Sequence, residues 1–185
     1  MTAKFWKELV KLVFFSLLIV VPFRLYIAQP FIVEGASMDP TFETGDYLIV
    51  DELTYHFKTP ERGSVLIFKY PRDPKKSFIK RIIGLPGEKV SISNGQITII
   101  NTEYSEGFIL NEPYVKLNKK DSADYIIGAR EYFVLGDNRL ASADSRIWGP
   151  VPEENIIGRP VISFFPPAFF PGDNSRYTGA ETQTK

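Results

Sequence analysis

From Leu12 to Phe23 the chain carries no charge, and apolar character resumes after Arg24 through Leu25-Tyr26-Ile27-Ala28. Twelve helical residues rise only about 18 Å, short of a bilayer core of roughly 30 Å. Lys11 and Arg24 can lay their stems along the apolar surface with their charged heads in the interface, which lengthens the usable helix to about residues 9–28. The expectation is an uncleaved, membrane-spanning signal anchor. A removable signal peptide shares the basic start and short apolar stretch, but the candidate cleavage site Tyr26-Ile27-Ala28 puts a large residue at minus three. A buried or interfacial helix is the third reading. Lys4, Lys7 and Lys11 predict a cytoplasmic N-terminus, with residues after about 30 on the other side.

Charge is uneven along the chain. Its 185 residues hold 22 basic and 22 acidic side chains, yet Lys4, Lys7, Lys11 and Arg24 against Glu8 leave residues 1–30 at +3 and the remainder at −3. No overall basic excess advertises nucleic acid, so a phosphate-binding partner is not expected. The absence of cysteine removes a disulfide framework, a thiolate nucleophile and a thiolate metal site. One histidine, His56, is too few for a His-rich metal centre.

After Pro30 short runs of β-branched and aromatic residues alternate with Gly, Pro, Asn and Asp. Tyr47–Val50, Ser64–Lys69, Phe78–Ile83, Lys89–Ile92, Gln96–Ile100 and Glu131–Leu135 read as strands. Ser93-Asn94-Gly95 reads as a hairpin turn, since Asn-Gly tolerates the positive φ such turns need. No helical periodicity alternates with these strands, which argues against a βαβ fold. Three parts are predicted: residues 1–30 as cytoplasmic tip and anchor, 31–172 as a mainly β domain with a polar lobe near 101–130, and 173–185 as a small, polar, disordered tail.

Gly35-Ala36-Ser37-Met38-Asp39-Pro40-Thr41 follows the apolar segment closely. Its composition suits a turn, but Ser37 would become a nucleophile if a base lay near. His56 sits in a loop with no recognisable orienting partner and reads as a surface histidine. Lys80 is the other candidate. Strict alternation sets it on one strand face with Phe78 and Ile82, and Arg81 on the opposite face with Ile79 and Ile83. An edge-strand lysine with its head in water is the bland reading. A lysine of ordinary pKa is neutral in only about one molecule in 2,500 at pH 7, so catalysis needs the pKa lowered, which burial among apolar side chains can supply. The loop Gly136–Arg146 is dense in short hydrogen-bonding side chains and suits either a salt-bridged turn or support for a site.

Taken together, these segments resemble the bacterial type I signal peptidases. The resemblance rests on an N-terminal anchor, then Ser37-Met38-x-Pro40-Thr41, then Arg62-Gly63 before Val65–Phe68. It continues in Lys80-Arg81-Ile82-Ile83-Gly84-Leu85-Pro86-Gly87 and Gly136-Asp137-Asn138-Arg139-x-x-Ser142-x-Asp144-Ser145-Arg146, and runs from the anchor to about Pro160. It implies a membrane-anchored antiparallel β-sheet or partly open barrel, with Ser37 as nucleophile and Lys80 as general base of a Ser-Lys dyad. Ser142 would orient Lys80, Asp144 and Arg146 would form a supporting ion pair, and the Ser37 backbone N–H would donate to the oxyanion. Some members add a serine hydroxyl to that hole at the position occupied here by Gly35. No metal or cofactor is implied.

The partners implied are the lipid bilayer and the signal-peptide regions of preproteins, cut after small residues at minus three and minus one. The implied location is the cell membrane with the catalytic domain on its outer or periplasmic side, or a thylakoid membrane in a photosynthetic source. Phe164–Pro171 is either an apolar surface that dips into the interface or ordinary core. Two other readings stand beside this one. A self-cleaving Ser-Lys peptidase of the SOS-repressor type would lack the anchor and carry a DNA-binding domain, and a non-enzymatic membrane-tethered β module would use the polar loop as a contact surface.

Overall fold

The computed structural model describes residues 3–26, 29–164 and 167–169. The expected tail at 173–185 lies outside them, as do Phe165, Pro166, Phe170 and Pro171 of the expected apolar surface. The first helix, α1, spans Ala3–Tyr26. Its large apolar side chains, among them Phe14, Leu17, Leu18 and Val20, are exposed rather than packed on the rest of the protein, which removes the buried-helix reading. Among the described residues, no helix is long and apolar enough to cross a membrane. The expected span to residue 28 reaches beyond α1, at residues 27 and 28.

Among the described residues twelve strands follow: β1 (Gln29–Ile32), β2 (Tyr47–Asp51), β3 (Val65–Tyr70), β4 (Asp73–Gly84), β5 (Lys89–Ser93), β6 (Gln96–Ile100), β7 (Phe108–Ile109), β8 (Ala123–Ile126), β9 (Glu131–Leu135), β10 (Val151–Pro152), β11 (Ile156–Phe164) and β12 (Pro167–Phe169). The one-turn helix α2 (Ser145–Trp148) lies between β9 and β10. The larger sheet runs β1-β2-β11-β3-β4-β9-β10, with β12 also on β11, and the smaller runs β7-β6-β5-β8. All the pairings are antiparallel, so the mainly β expectation holds. The larger sheet ends on β1 and β10 and does not close into a barrel.

All six expected strands are present. β5 and β6 join through a hairpin in which Ser93 faces Gln96, and Asn94 and Gly95 take φ of 50° and 82°, the left-handed conformation the sequence called for. β11 was not expected, because Gly158 and Pro160 interrupt its apolar run, yet it lies in the middle of the larger sheet. The register shifts between Ile156 and Gly158 and again between Pro160 and Ile162, and such irregularities are where an internal strand accommodates proline. Gly158 is required there, since an added Cβ would lie 2.4 Å from the Asp51 carbonyl oxygen. Residues 101–130 supply β7, β8 and a long connection between them, so the polar lobe is part of the smaller sheet.

Alternation along β3 and β4 feeds two clusters. Val65, Ile67 and Ile79 join Val33, Met38, Phe42, Leu48 and Val50, whereas Leu66, Phe68 and Ile82 join Tyr132, Val134 and Val151. Ile83 belongs to a third, built mainly from the smaller sheet. β4 therefore crosses the centre of the molecule with side chains buried to both sides, and Lys80 lies on that stretch.

Candidate active site

Ser37 is half-buried at the start of a tight turn. The neighbouring Met38 and Phe42 are 0% and 1% exposed, and the Met38 carbonyl accepts the N–H groups of Thr41 and Phe42. These two apolar anchors pin the turn to the core while leaving the serine at its rim. The Ser37 carbonyl accepts the Asn138 N–H at 3.1 Å, which ties the turn to the loop after β9. Gly35, two residues earlier, takes φ of 87°, a conformation that favours glycine. Its would-be Cβ position has open space around it.

Lys80 is 4% exposed, because β4 lies between β3 and β9 rather than at an edge. The bland reading of a lysine with its head in water is therefore overturned. Its Nζ lies 2.7 Å from Ser37 Oγ and donates to the Ile79 carbonyl at 2.8 Å. Burial, the largest influence, pushes the amine down to about 8, against the opposing charges of Asp144 and Asp137. At that value about one molecule in ten holds a neutral amine at pH 7, roughly 250 times the fraction for an ordinary lysine.

The two carboxylates are themselves matched. Asp137 takes two hydrogen bonds from Arg81, at 2.8 and 2.6 Å, and a third from Thr41. The Arg81 guanidinium also donates to the Gly63 carbonyl and stacks 4.1 Å from the Tyr114 ring centroid. Asp144 accepts two hydrogen bonds from Arg146, both at 2.8 Å, and caps α2 by accepting the Arg146 N–H. Asp121 holds the far side of Arg146. Pairing leaves little free negative charge beside Lys80, so desolvation prevails.

Ser142 departs from expectation. Its Oγ is buried with no hydrogen-bond partner and packs beside Gly136, near the Ser37 carbonyl. The amine is oriented instead by the Ile79 carbonyl of its own strand. His56 is exposed on a one-turn 3-10 helix, with Nδ1 at 3.0 Å from the Glu52 carbonyl. Local pattern in the sequence does not pair Arg81 with Asp137, nor Arg139 with Glu112, a buried pair that reaches from the loop after β9 to the lobe. A buried charge in mid-strand, as at Arg81, is the signal that a partner must exist.

An amine of lowered pKa against a serine hydroxyl, held on a rigid antiparallel scaffold, has the chemistry of an acyl-transferring hydrolase. Comparison with known proteins agrees with that class. Residues 6–165 match the family described as signal peptidase, peptidase S26. A probable signal peptidase I of Synechocystis is 36% identical over 170 residues, covering 88% of this chain and 84% of its own. A signal peptidase I of Bacillus subtilis is 39% identical over 140 residues, covering 71% and 81%. A probable thylakoidal processing peptidase of Arabidopsis thaliana is 36% identical over 153 residues, which are 79% of this chain and 40% of that protein. The chain belongs to the signal peptidase family, peptidase S26, and is a peptide-bond hydrolase.

Proposed function

We propose that this chain is a membrane-bound endopeptidase that removes N-terminal signal peptides from exported preproteins by Ser-Lys acyl transfer. The observation that carries this reading is the 2.7 Å contact between the Ser37 hydroxyl and the buried Lys80 amine. When neutral, the amine accepts the hydroxyl proton as Oγ attacks the carbonyl at the signal-peptide junction. The negative charge that develops on the carbonyl oxygen is met by the Ser37 N–H, which has no acceptor among the described residues. The Lys80 ammonium then protonates the leaving amine as the C–N bond breaks, leaving an ester on Ser37. A water then gives a proton to the same amine and attacks the ester carbonyl, and as the C–O bond to Ser37 breaks the ammonium returns that proton to Oγ, releasing the signal peptide as its carboxylic acid and restoring both groups.

Gly35 supplies no side-chain donor to the oxyanion, and a water or another amide takes that role in the open space beside it. The substrate is taken as an extended strand against a sheet edge, with small residues at minus three and minus one. Asp144 and Arg146 hold the loop that carries Ser142. The exposed apolar side chains of α1 support a membrane anchor, and the +3 charge of residues 1–30 supports a cytoplasmic N-terminus with the catalytic domain on the outer side. The same arrangement serves a plasma or a thylakoid membrane.

The test is cleavage of a preprotein by detergent-solubilised protein. Ser37→Ala and Lys80→Ala are expected to be inactive, and so is Lys80→Arg, whose guanidinium cannot act as a base. Full cleavage by either alanine variant would remove the dyad. Protease protection in membrane vesicles tests the orientation.

A further inference from the structure

An aromatic wall stands beside Lys80, and one of its members, Trp148, comes from α2. Phe78 stands two residues before Lys80 on β4, and its ring centroid is 5.4 Å from Nζ. The ring stacks on Tyr70 at 4.8 Å and lies 5.7 Å from Trp148. Tyr70 and Trp148 close the triangle edge-on at 5.1 Å, and Phe68, fully buried, meets Phe78 edge-on from below. Phe78 is thus bracketed by Tyr70, Trp148 and Phe68. The indole Nε1 is buried with no hydrogen-bond partner, whereas a buried tryptophan usually finds one. The fold accepts that loss to set a large ring at this point.

We propose that Trp148 is a positioning residue, holding Phe78 against Lys80 and thereby excluding water from the amine. The inference rests on the reading of Lys80 as the base. The charged and titratable groups around Lys80 are Asp137 and Asp144, neutralised by Arg81 and Arg146, together with the Ser37 and Ser142 hydroxyls. On the outer side of the wall stand the Tyr70 phenol and Arg72, which donates to the Ile147 carbonyl. A cation over the Phe78 face would favour the ammonium, but 5.4 Å is near the outer limit of about 6 Å for that attraction. Desolvation is the larger influence. Shrinking the wall admits water and favours the charged amine.

Two measurements separate this inference from the reading beneath it. The first is competitive labelling of Lys80 with acetic anhydride across pH, read by mass spectrometry on Trp148→Ala, Trp148→Phe and the parent, each also carrying Ser37→Ala. It reports the amine's titration without any turnover. Trp148→Ala is expected to raise the midpoint by roughly one pH unit, and Trp148→Phe, which keeps an aromatic face, by much less. The second is the pH profile of kcat/KM with Ser37 intact, whose acid limb is expected to move with the labelling midpoint. An unmoved labelling midpoint in folded Trp148→Ala overturns the inference. A labelling midpoint that moves while the acid limb stays still keeps the wall and removes Lys80 as base. If Trp148→Ala does not fold, Tyr70→Ala removes the ring that contacts both Phe78 and Trp148 and is read by the same criteria.

Discussion

Arg81 and Asp137 meet through two parallel hydrogen bonds, with each side chain 1% exposed. Arg81 follows Lys80 in the chain, and Asp137 is one of the two carboxylates whose charge acts on the amine. The pair therefore does two things at once. It fastens β4 to the loop after β9, and it neutralises a carboxylate that would otherwise favour the protonated lysine. Arg81→Met should cost about 3–5 kcal/mol in a urea denaturation, because it leaves a buried, uncompensated charge. It should also move the acid limb of the rate upward in pH. The double variant Arg81→Met/Asp137→Leu should recover much of the stability.

Lys80 itself is a place where function opposes stability. Its pKa is about 8 in the folded protein against an ordinary 10.5. Below pH 8 the folded state must bury an ammonium. Between 8 and 10.5 the unfolded chain binds more protons than the folded one, so stability rises with pH and the penalty is gone above 10.5. Lys80→Met should thus stop turnover yet stabilise the fold by about 2 kcal/mol at pH 7, after allowance for its lost hydrogen bonds. That advantage should shrink as chemical denaturation is repeated from pH 8 to pH 10. In the parent, kcat/KM should climb tenfold per pH unit below about 8 and level off above it.

The parts of this architecture visible in the sequence are those governed by local pattern. β2 through β6 and β9 follow from alternation and turn residues, and the Asn94-Gly95 hairpin from the φ angles those residues tolerate. β11 was hidden because Gly158 and Pro160 read as breakers, and only the surrounding strands show that they stand at register shifts. At the site, Ser37 and Lys80 are legible only through the combination of several segments. The matching of Arg81 to Asp137, and of Arg139 to Glu112, depends on contacts between segments far apart in the chain that no local pattern encodes. The expected bond from Ser142 to Lys80 is absent, and the amine is held by Ser37 and the Ile79 carbonyl.

Ser142 remains informative for that reason. A buried hydroxyl without a partner is uncommon in a native fold, and this one lies beside Gly136 and the Ser37 carbonyl. Ser142→Ala removes an unsatisfied group, so denaturation should show stability within about 1 kcal/mol of the parent. A fall in kcat of about tenfold or more at unchanged stability is expected, with the hydroxyl finding its partner in Lys80 during the reaction. Unchanged kcat would assign Ser142 to packing alone.

Gly136 makes the tightest approach around the nucleophile. A Cβ there would fall 2.4 Å from the Ser37 carbonyl oxygen and 2.3 Å from Ser142 Oγ. The side chain of Ser142 can rotate, but the Ser37 carbonyl is backbone and already accepts the Asn138 N–H. Gly136→Ala must therefore displace the turn that carries the nucleophile. Overpacking of this kind costs about 1–3 kcal/mol, and a displacement near 1 Å at reacting groups costs on the order of a hundredfold in rate. The expected result is a folded variant with kcat reduced far more than its stability loss would suggest, and with competitive labelling of Lys80 still reporting a midpoint near 8. A midpoint shifted toward 10.5 would show instead that the displaced turn admits water to the amine.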